Sequence, residues 1–145
     1  MSEFRFVVEV FAPPFRVWET LLDIEHWPQW TRTVTSATRL DDGPLTIGSR
    51  ARLLQPRLIP AVWKVTELDP RQRLFTWVTG RPGIQIAGSH LVDRTAQGSL
   101  VTLTITYSGL FGWLMARQLK RLNWDYLGAE ARGLKTHCEA APAAS

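Results

Sequence analysis

Ile84-Gln85-Ile86-Ala87-Gly88-Ser89-His90-Leu91-Val92 is the stretch on which the fold turns. Side chains alternate across a strand, so Ile84, Ile86, Gly88, His90 and Val92 share one face. That face is apolar except for a single titratable imidazole, and at Gly88 it lacks a side chain. A histidine so placed either closes a hydrogen bond in a packed core or looks into a cavity.

Working outward, the next apolar run supplies a test of register. With Thr95-Ala96-Gln97-Gly98 as the loop, Arg94 pairs with Ser99, Val92 with Val101 and His90 with Leu103. Gly88 then meets Ile105 and Ile86 meets Tyr107, while Thr102, Thr104 and Thr106 fall on the opposite face. Apolar pairs with apolar, so the register is self-consistent. Upstream, a Gly80–Gly83 loop would set Trp77 against Ile86, Phe75 against Gly88 and Arg73 against His90. One strand further back, Trp63 would face Trp77, Val65 would face Phe75, and Glu67 would form a rim ion pair with Arg73.

The remaining chain extends this pattern. Phe4, Phe6, Val8 and Val10 alternate as a first strand. Pro13-Pro14 opens a short helix over Phe15–Leu22, and Asp23 begins a second through Trp30. Further strands are expected over Thr33–Leu40, Arg50–Arg57, Ala61–Leu68, Arg73–Thr79, Ile84–Arg94 and Leu100–Ser108. Pro, Gly and Asp clusters separate them. After Gly112 a helical stripe of Met115, Leu119, Leu122, Tyr126, Ala129 and Gly133 runs to about His137. The order predicts one α+β domain over residues 1–139. In it, an antiparallel meander receives a long C-terminal helix on its concave face. Residues 140–145 read as a disordered tail.

Composition narrows the function classes. The 145 residues are 45% hydrophobic and 21% charged, enough for one sizeable core. The net charge of +4 comes from scattered basic residues without a Lys/Arg run, which argues against nucleic acid as a partner. One cysteine, Cys138, excludes an intrachain disulfide, and no signal-peptide pattern or long apolar run is present. A soluble, cytoplasmic protein is expected. Seven tryptophans exceed what such a core needs, and broad rings also make good walls for an apolar ligand.

Several stretches together resemble the START-like, or SRPBCC, superfamily in its polyketide cyclase/dehydrase branch. These are Val17-Trp18 with Trp27-Pro28-Gln29-Trp30, Gly48-Ser49-Arg50 through Gln55-Pro56, and Trp63 through Pro70. Phe75-Thr76-Trp77, Pro82-Gly83, Gly88-Ser89-His90, Tyr126-Leu127-Gly128-Ala129-Glu130 and Gly133-Leu134-Lys135 complete the set. The resemblance implies a helix-grip fold: seven curved antiparallel strands wrapped around the C-terminal helix, with a hydrophobic cavity between them. It also implies a small hydrophobic ligand, whether lipid, aromatic or polyketide-like.

No phosphate loop, hydrolase triad or metal-ligand spacing is found, so neither a metal nor a cofactor is expected. The apolar walls of the cavity are assigned to Trp63, Phe75, Trp77, Ile86, Leu103 and Ile105, with Leu122 and Tyr126 from the helix. Gly88 leaves room beside them, and Gln55 and His90 would orient polar groups. If the protein is an enzyme of the cyclase, aromatase or dehydratase kind, its acid–base candidates are His90, Tyr126 and Glu130. For Glu130, a salt bridge to Arg73 is an equal reading. Ligand binding without chemistry is favoured over catalysis. A lipid or quinone carrier touching a membrane through Leu110-Phe111-Gly112 and Trp113 stands as a further alternative. The chain is expected to act as a monomer or homodimer.

Overall fold

The computed structural model describes residues 1–140, so the expected tail lies outside the described residues beyond Ala140. Its strands are β1 (Ser2–Val10), β2 (Ser36–Arg39), β3 (Arg50–Leu54), β4 (Ala61–Asp69), β5 (Leu74–Arg81), β6 (Ile84–Thr95) and β7 (Gly98–Ser108). They form one antiparallel sheet in the order β1-β7-β6-β5-β4-β3-β2. Helix α1 (Pro14–Leu22) and a 3-10 turn (Ile24–Gln29) carry the chain from β1 to the far edge of the sheet. Helices α2 (Gly112–Gln118) and α3 (Lys120–Glu139) follow β7. This is the α+β helix-grip architecture, with seven curved strands and two short helical segments after the first.

Local chemistry explains the boundaries. Pro14 stands in the first turn of α1, where its missing N–H costs nothing, and Val17, Trp18 and Leu21 bury one face. The strand expected from Thr33 begins only at Ser36, because the Thr31 and Thr33 hydroxyls bond at 2.9 Å and hold a turn. The strand expected to reach Arg57 stops at Leu54. There the Leu58 N–H bonds the Gln55 carbonyl, and Arg57 adopts a φ of 64°.

The β6–β7 register is the expected one, with Val92 opposite Val101, His90 opposite Leu103 and Gly88 opposite Ile105. The β5–β6 register is not. Pro82-Gly83 makes a two-residue turn, Gly83 taking φ 81°, so Arg81 already pairs with Ile84. The ladder moves by two residues: Trp77 meets Gly88 and Phe75 meets His90. A shift of two preserves the face of every side chain, so the inner set survives the error.

The expected Glu67–Arg73 ion pair is absent among the described residues. The β4–β5 ladder is two residues off the expected one, Val65 meeting Trp77 rather than Phe75. A bulge between Val65 and Glu67 then turns Glu67 outward to pair with Thr76, where it is exposed. Arg73 sits in the preceding turn at φ 56°, its Nε donating to the Val92 carbonyl at 3.2 Å.

The long C-terminal helix is interrupted. Leu119 (φ −100°, ψ 16°) separates α2 from α3, and the Asn123 side-chain amide donates to its carbonyl at 3.0 Å. Beyond this break the deepest positions are Leu127, Ala131, Leu134 and Cys138, one residue off the stripe expected from the sequence. Cys138 is accordingly buried against α1, and burial pushes its thiol up from the ordinary range. At the end of α3, Glu139 accepts from Lys135 Nζ at 2.7 Å and from the Phe11 N–H at 2.8 Å.

Those two donors, Lys135 first, hold the Glu139 carboxyl below its ordinary value of 4.5. A lowered folded-state value gives stability that is present above pH 4.5 and lost as pH falls through the folded value. Glu139→Gln is therefore expected to flatten the acid limb of a urea-midpoint-against-pH curve. An unchanged slope would contradict the clamp.

Candidate functional site

Helix α3 lies chiefly over β1 and β7. The inner faces of β4, β5 and β6 are thus left partly uncovered, and a cavity of about 410 Å³ opens there. This falls within the range of roughly 300–1,000 Å³ usual for small-molecule sites. Trp63, Ile86, Ile105, Tyr107, Leu127 and Tyr126 are among its walls, and Leu58, Ile59, Arg81, Met115 and Leu119 stand around it. A smaller space of about 50 Å³ lies beside it, bounded by Trp27, Trp77, Gly88, His90 and Leu103. Gln55, Trp63, Ile105, Leu127 and Glu130 border both. The site therefore has an outer apolar chamber and a small, polar inner end, the latter large enough for a water or one ligand group.

The inner end is built around His90, which is 5% exposed. Its ring stacks on Phe75 at 4.8 Å and 16°, with Trp27 edge-on at 5.5 Å. Trp27 is held in place by its indole N–H, which donates to the Leu21 carbonyl at 3.0 Å. His90 Nδ1 lies 3.1 Å from the Phe75 carbonyl oxygen, an acceptor only, so Nδ1 carries a proton and donates. Nε2 is left to face the Glu130 carboxylate, 3.5 Å away. The contact is not a hydrogen bond, so the imidazole nitrogen and the carboxylate stand side by side at the inner end without being joined.

Two buried polar atoms at this end have no hydrogen-bond partner: Glu130 Oε1 and Trp63 Nε1. One accepts and the other donates. Orphaned buried polar atoms cost free energy, roughly 1–3 kcal/mol each, unless something else satisfies them. Both residues border the cavity, and a ligand hydroxyl or carbonyl would satisfy these enclosed atoms once the two side chains turn toward it.

The sequence-derived residues distribute unevenly over this site. Trp63, Gln55 and Ile105 line both chambers; Trp77, Gly88, His90 and Leu103 line the inner one; Ile86 and Tyr126 line the outer one. Phe75 lines neither, lying fully buried behind His90 as its stacking partner. Leu122 lines neither, because the interruption at Leu119 rotates the stripe away from it. His90 and Tyr126 are not brought together: the Tyr126 hydroxyl donates to the Pro56 carbonyl and ties α3 to the β3–β4 loop. Burial pushes that phenol up. The expected Glu130 partner, Arg73, is replaced by His90.

Sequence reasoning passed over Tyr107 and Asn123. Their side chains bond each other at 2.9–3.1 Å in the cavity wall, and burial pushes the Tyr107 phenol up. An asparagine in the middle of an otherwise apolar helical stripe was the available signal. The wall residues Leu58 and Ile59 lie in a loop, where no periodicity marks them.

The geometry is that of a sheet gripping a helix across an apolar cavity with a few polar groups inside. Residues 1–139 match the family model described as "Polyketide cyclase / dehydrase and lipid transport", and the chain belongs to that family. Among solved structures it is similar to TTHA0849 from Thermus thermophilus (21% identity, 99% of this chain and 100% of that one, TM-score 0.77). It is also similar to the Zhui aromatase/cyclase of a Streptomyces species (17% identity, 95% and 93%, TM-score 0.77). A third is XoxI from Bacillus cereus (16% identity, 97% and 97%, TM-score 0.76). At these identities the likeness shows the shared fold. No curated protein matches the sequence.

Proposed function

We propose that the cavity binds a small, largely apolar aromatic or polyketide-like molecule carrying at least one hydroxyl or carbonyl group. The observation that carries this reading is the pair of unpartnered atoms, Glu130 Oε1 and Trp63 Nε1, at the closed end of an apolar chamber. The ring system would lie against Ile86, Ile105 and Leu127, with its polar group between Trp63 and the His90–Glu130 pair. A hydrophobic ligand also suits a family whose description includes lipid transport.

A second reading, that of a cyclase or dehydratase, is favoured by the 3.5 Å His90–Glu130 contact. Loss of water from a β-hydroxy carbonyl compound needs a base at the α-carbon and a proton for the departing hydroxyl, and the pair can supply both. The Streptomyces aromatase/cyclase has the same fold.

Titration with hydroxylated polycyclic aromatics, followed by tryptophan emission, tests the binding reading, because Trp63 and Trp77 line the cavity. Saturable quenching or a spectral shift is expected; a flat response across such compounds would remove it. To separate the two readings, parent and His90→Gln are compared for turnover of a β-hydroxy carbonyl polyketide mimic. Turnover lost in His90→Gln supports catalysis, whereas binding without turnover in the parent leaves a carrier.

A further inference from the structure

We propose that the mouth of the cavity is a docking surface for an anionic lipid bilayer. The proposal rests on surface residues outside the His90–Glu130 end and stands or falls separately from the ligand reading.

Three segments frame the mouth: the β3–β4 loop, the β5–β6 turn and the β7–α2 connection with the start of α2. All three leave large apolar side chains in water. Leu110 is 75% exposed, Trp113 57%, Ile59 56% and Phe111 51%. They are continuous with the opening. Ile59 lines the cavity itself, and the Phe111 N–H donates to the Gly83 carbonyl at 2.9 Å in the turn beside Arg81, another cavity-lining residue. Phe111 also presses on Gly83, where any added Cβ would meet its ring at 2.7 Å, so this lip is fixed to the turn. An apolar rim of this kind, with a tryptophan in it, marks an interaction surface.

Charge decides what meets it. Arg81 lines the mouth and is exposed, as are Arg117, Lys120 and Arg121 on the helical segments that carry the cavity-lining Met115 and Leu119. Among the described residues none of the four has a carboxylate partner within salt-bridge distance. No Asp or Glu occurs between Asp42 and Glu67, between Asp69 and Asp93, or between Asp93 and Asp125. All three mouth segments fall inside these acid-free intervals. The one carboxylate that reaches these segments, Asp125, is paired with Arg57 of the β3–β4 loop at 3.3 Å and with Arg32 at 3.1 Å, so the cations named above keep no acidic partner. Apolar anchors with surrounding Lys and Arg fit the interface of a negatively charged membrane, where rings enter the headgroup boundary and cations meet anionic lipid. Docked so, the cavity would open directly toward the acyl region.

Co-sedimentation with phosphatidylcholine vesicles, and with the same vesicles containing phosphatidylglycerol, tests the proposal. Strong partitioning is expected on the anionic vesicles and weak partitioning on the neutral ones. Lys120→Gln should lower the anionic partition coefficient by roughly fivefold, and the Arg117→Gln/Lys120→Gln/Arg121→Gln combination by about a hundredfold, from near 1 kcal/mol per cation. Trp113→Ala should lower partitioning on both vesicle types. These side chains are exposed, so unchanged thermal unfolding is expected of every variant. Absence of binding to either vesicle, equal binding to both, or parent-like binding by the triple variant would overturn it.

Discussion

Glu130→Leu is expected to raise the protein's resistance to urea while weakening its hold on a hydroxylated ligand by roughly 10- to 150-fold. The two effects have opposite signs because the same atom causes both. Glu130 Oε1 is buried without a hydrogen-bond partner, so the free protein bears the cost of its desolvation. Removing a buried, imperfectly paired carboxylate in favour of an apolar side chain of similar size is commonly neutral or stabilising, here by about 1–2 kcal/mol. The bound complex loses a hydrogen bond to a charged group, worth about 1.5–3 kcal/mol, which sets the loss of affinity. His90 keeps its bond to the Phe75 carbonyl in either case, so the pocket keeps its shape. Urea melts and a ligand titration on the same two proteins check this. A destabilised variant would mean that the His90–Glu130 contact is structural. A stabilised variant with unchanged affinity would mean that the carboxylate never meets the ligand.

Gly133→Ala should cost about 3 kcal/mol, although alanine is the better helix former. Glycine within a helix is unfavourable by about 1 kcal/mol relative to alanine, so on an open helix face this change would stabilise. At Gly133, however, a Cβ would lie 1.9 Å from the Trp30 carbonyl oxygen and 3.4 Å from the Thr31 Cα. The obstacle is backbone, which cannot swing aside as a side-chain end would. Either α3 or the segment after the 3-10 turn must move, with overpacking costs that reach about 3 kcal/mol. Because the Trp27 and Trp30 rings touch at 5.4 Å with their planes inclined at 55°, and Trp27 backs His90, the displacement would reach the inner chamber as well. A urea midpoint well below the parent's with the same m-value is expected. A midpoint at or above the parent's would show that α3 does not press on this segment.

Period-two alternation around His90, together with turn chemistry at regular intervals, made the meander and its inner face legible in the sequence. The β6–β7 pairing could be derived residue by residue because Thr95 to Gly98 leaves little choice of turn. The β5–β6 pairing could not, since Pro82-Gly83 can close either a four-residue or a two-residue loop. Only the second brings the Trp77 ring over the open side of Gly88, where an added Cβ would lie 3.3 Å from Trp77 Nε1. A two-residue offset of the β4–β5 ladder and the bulge after Val65 leave no mark in the pattern, and together they undid the Glu67–Arg73 pair. On the helix, the break at Leu119 rotates the stripe, so Leu122 was placed inside and Asn123 overlooked. His90 and Glu130 were each visible as candidates. That they face each other follows from α3 crossing the sheet at a height that no local pattern encodes.

An apolar chamber that ends in unpartnered polar groups should favour a ligand carrying a hydroxyl or carbonyl over its bare hydrocarbon. Calorimetric titration of the protein with naphthalene and with 2-naphthol, which differ by one hydroxyl, tests it most directly. Saturable one-to-one binding with a negative heat-capacity change is expected for 2-naphthol, at least about tenfold tighter than for naphthalene. Trp63→Phe or Glu130→Leu should shrink that difference. Equal affinity for the two compounds, or no saturable heat with either, would contradict the claim.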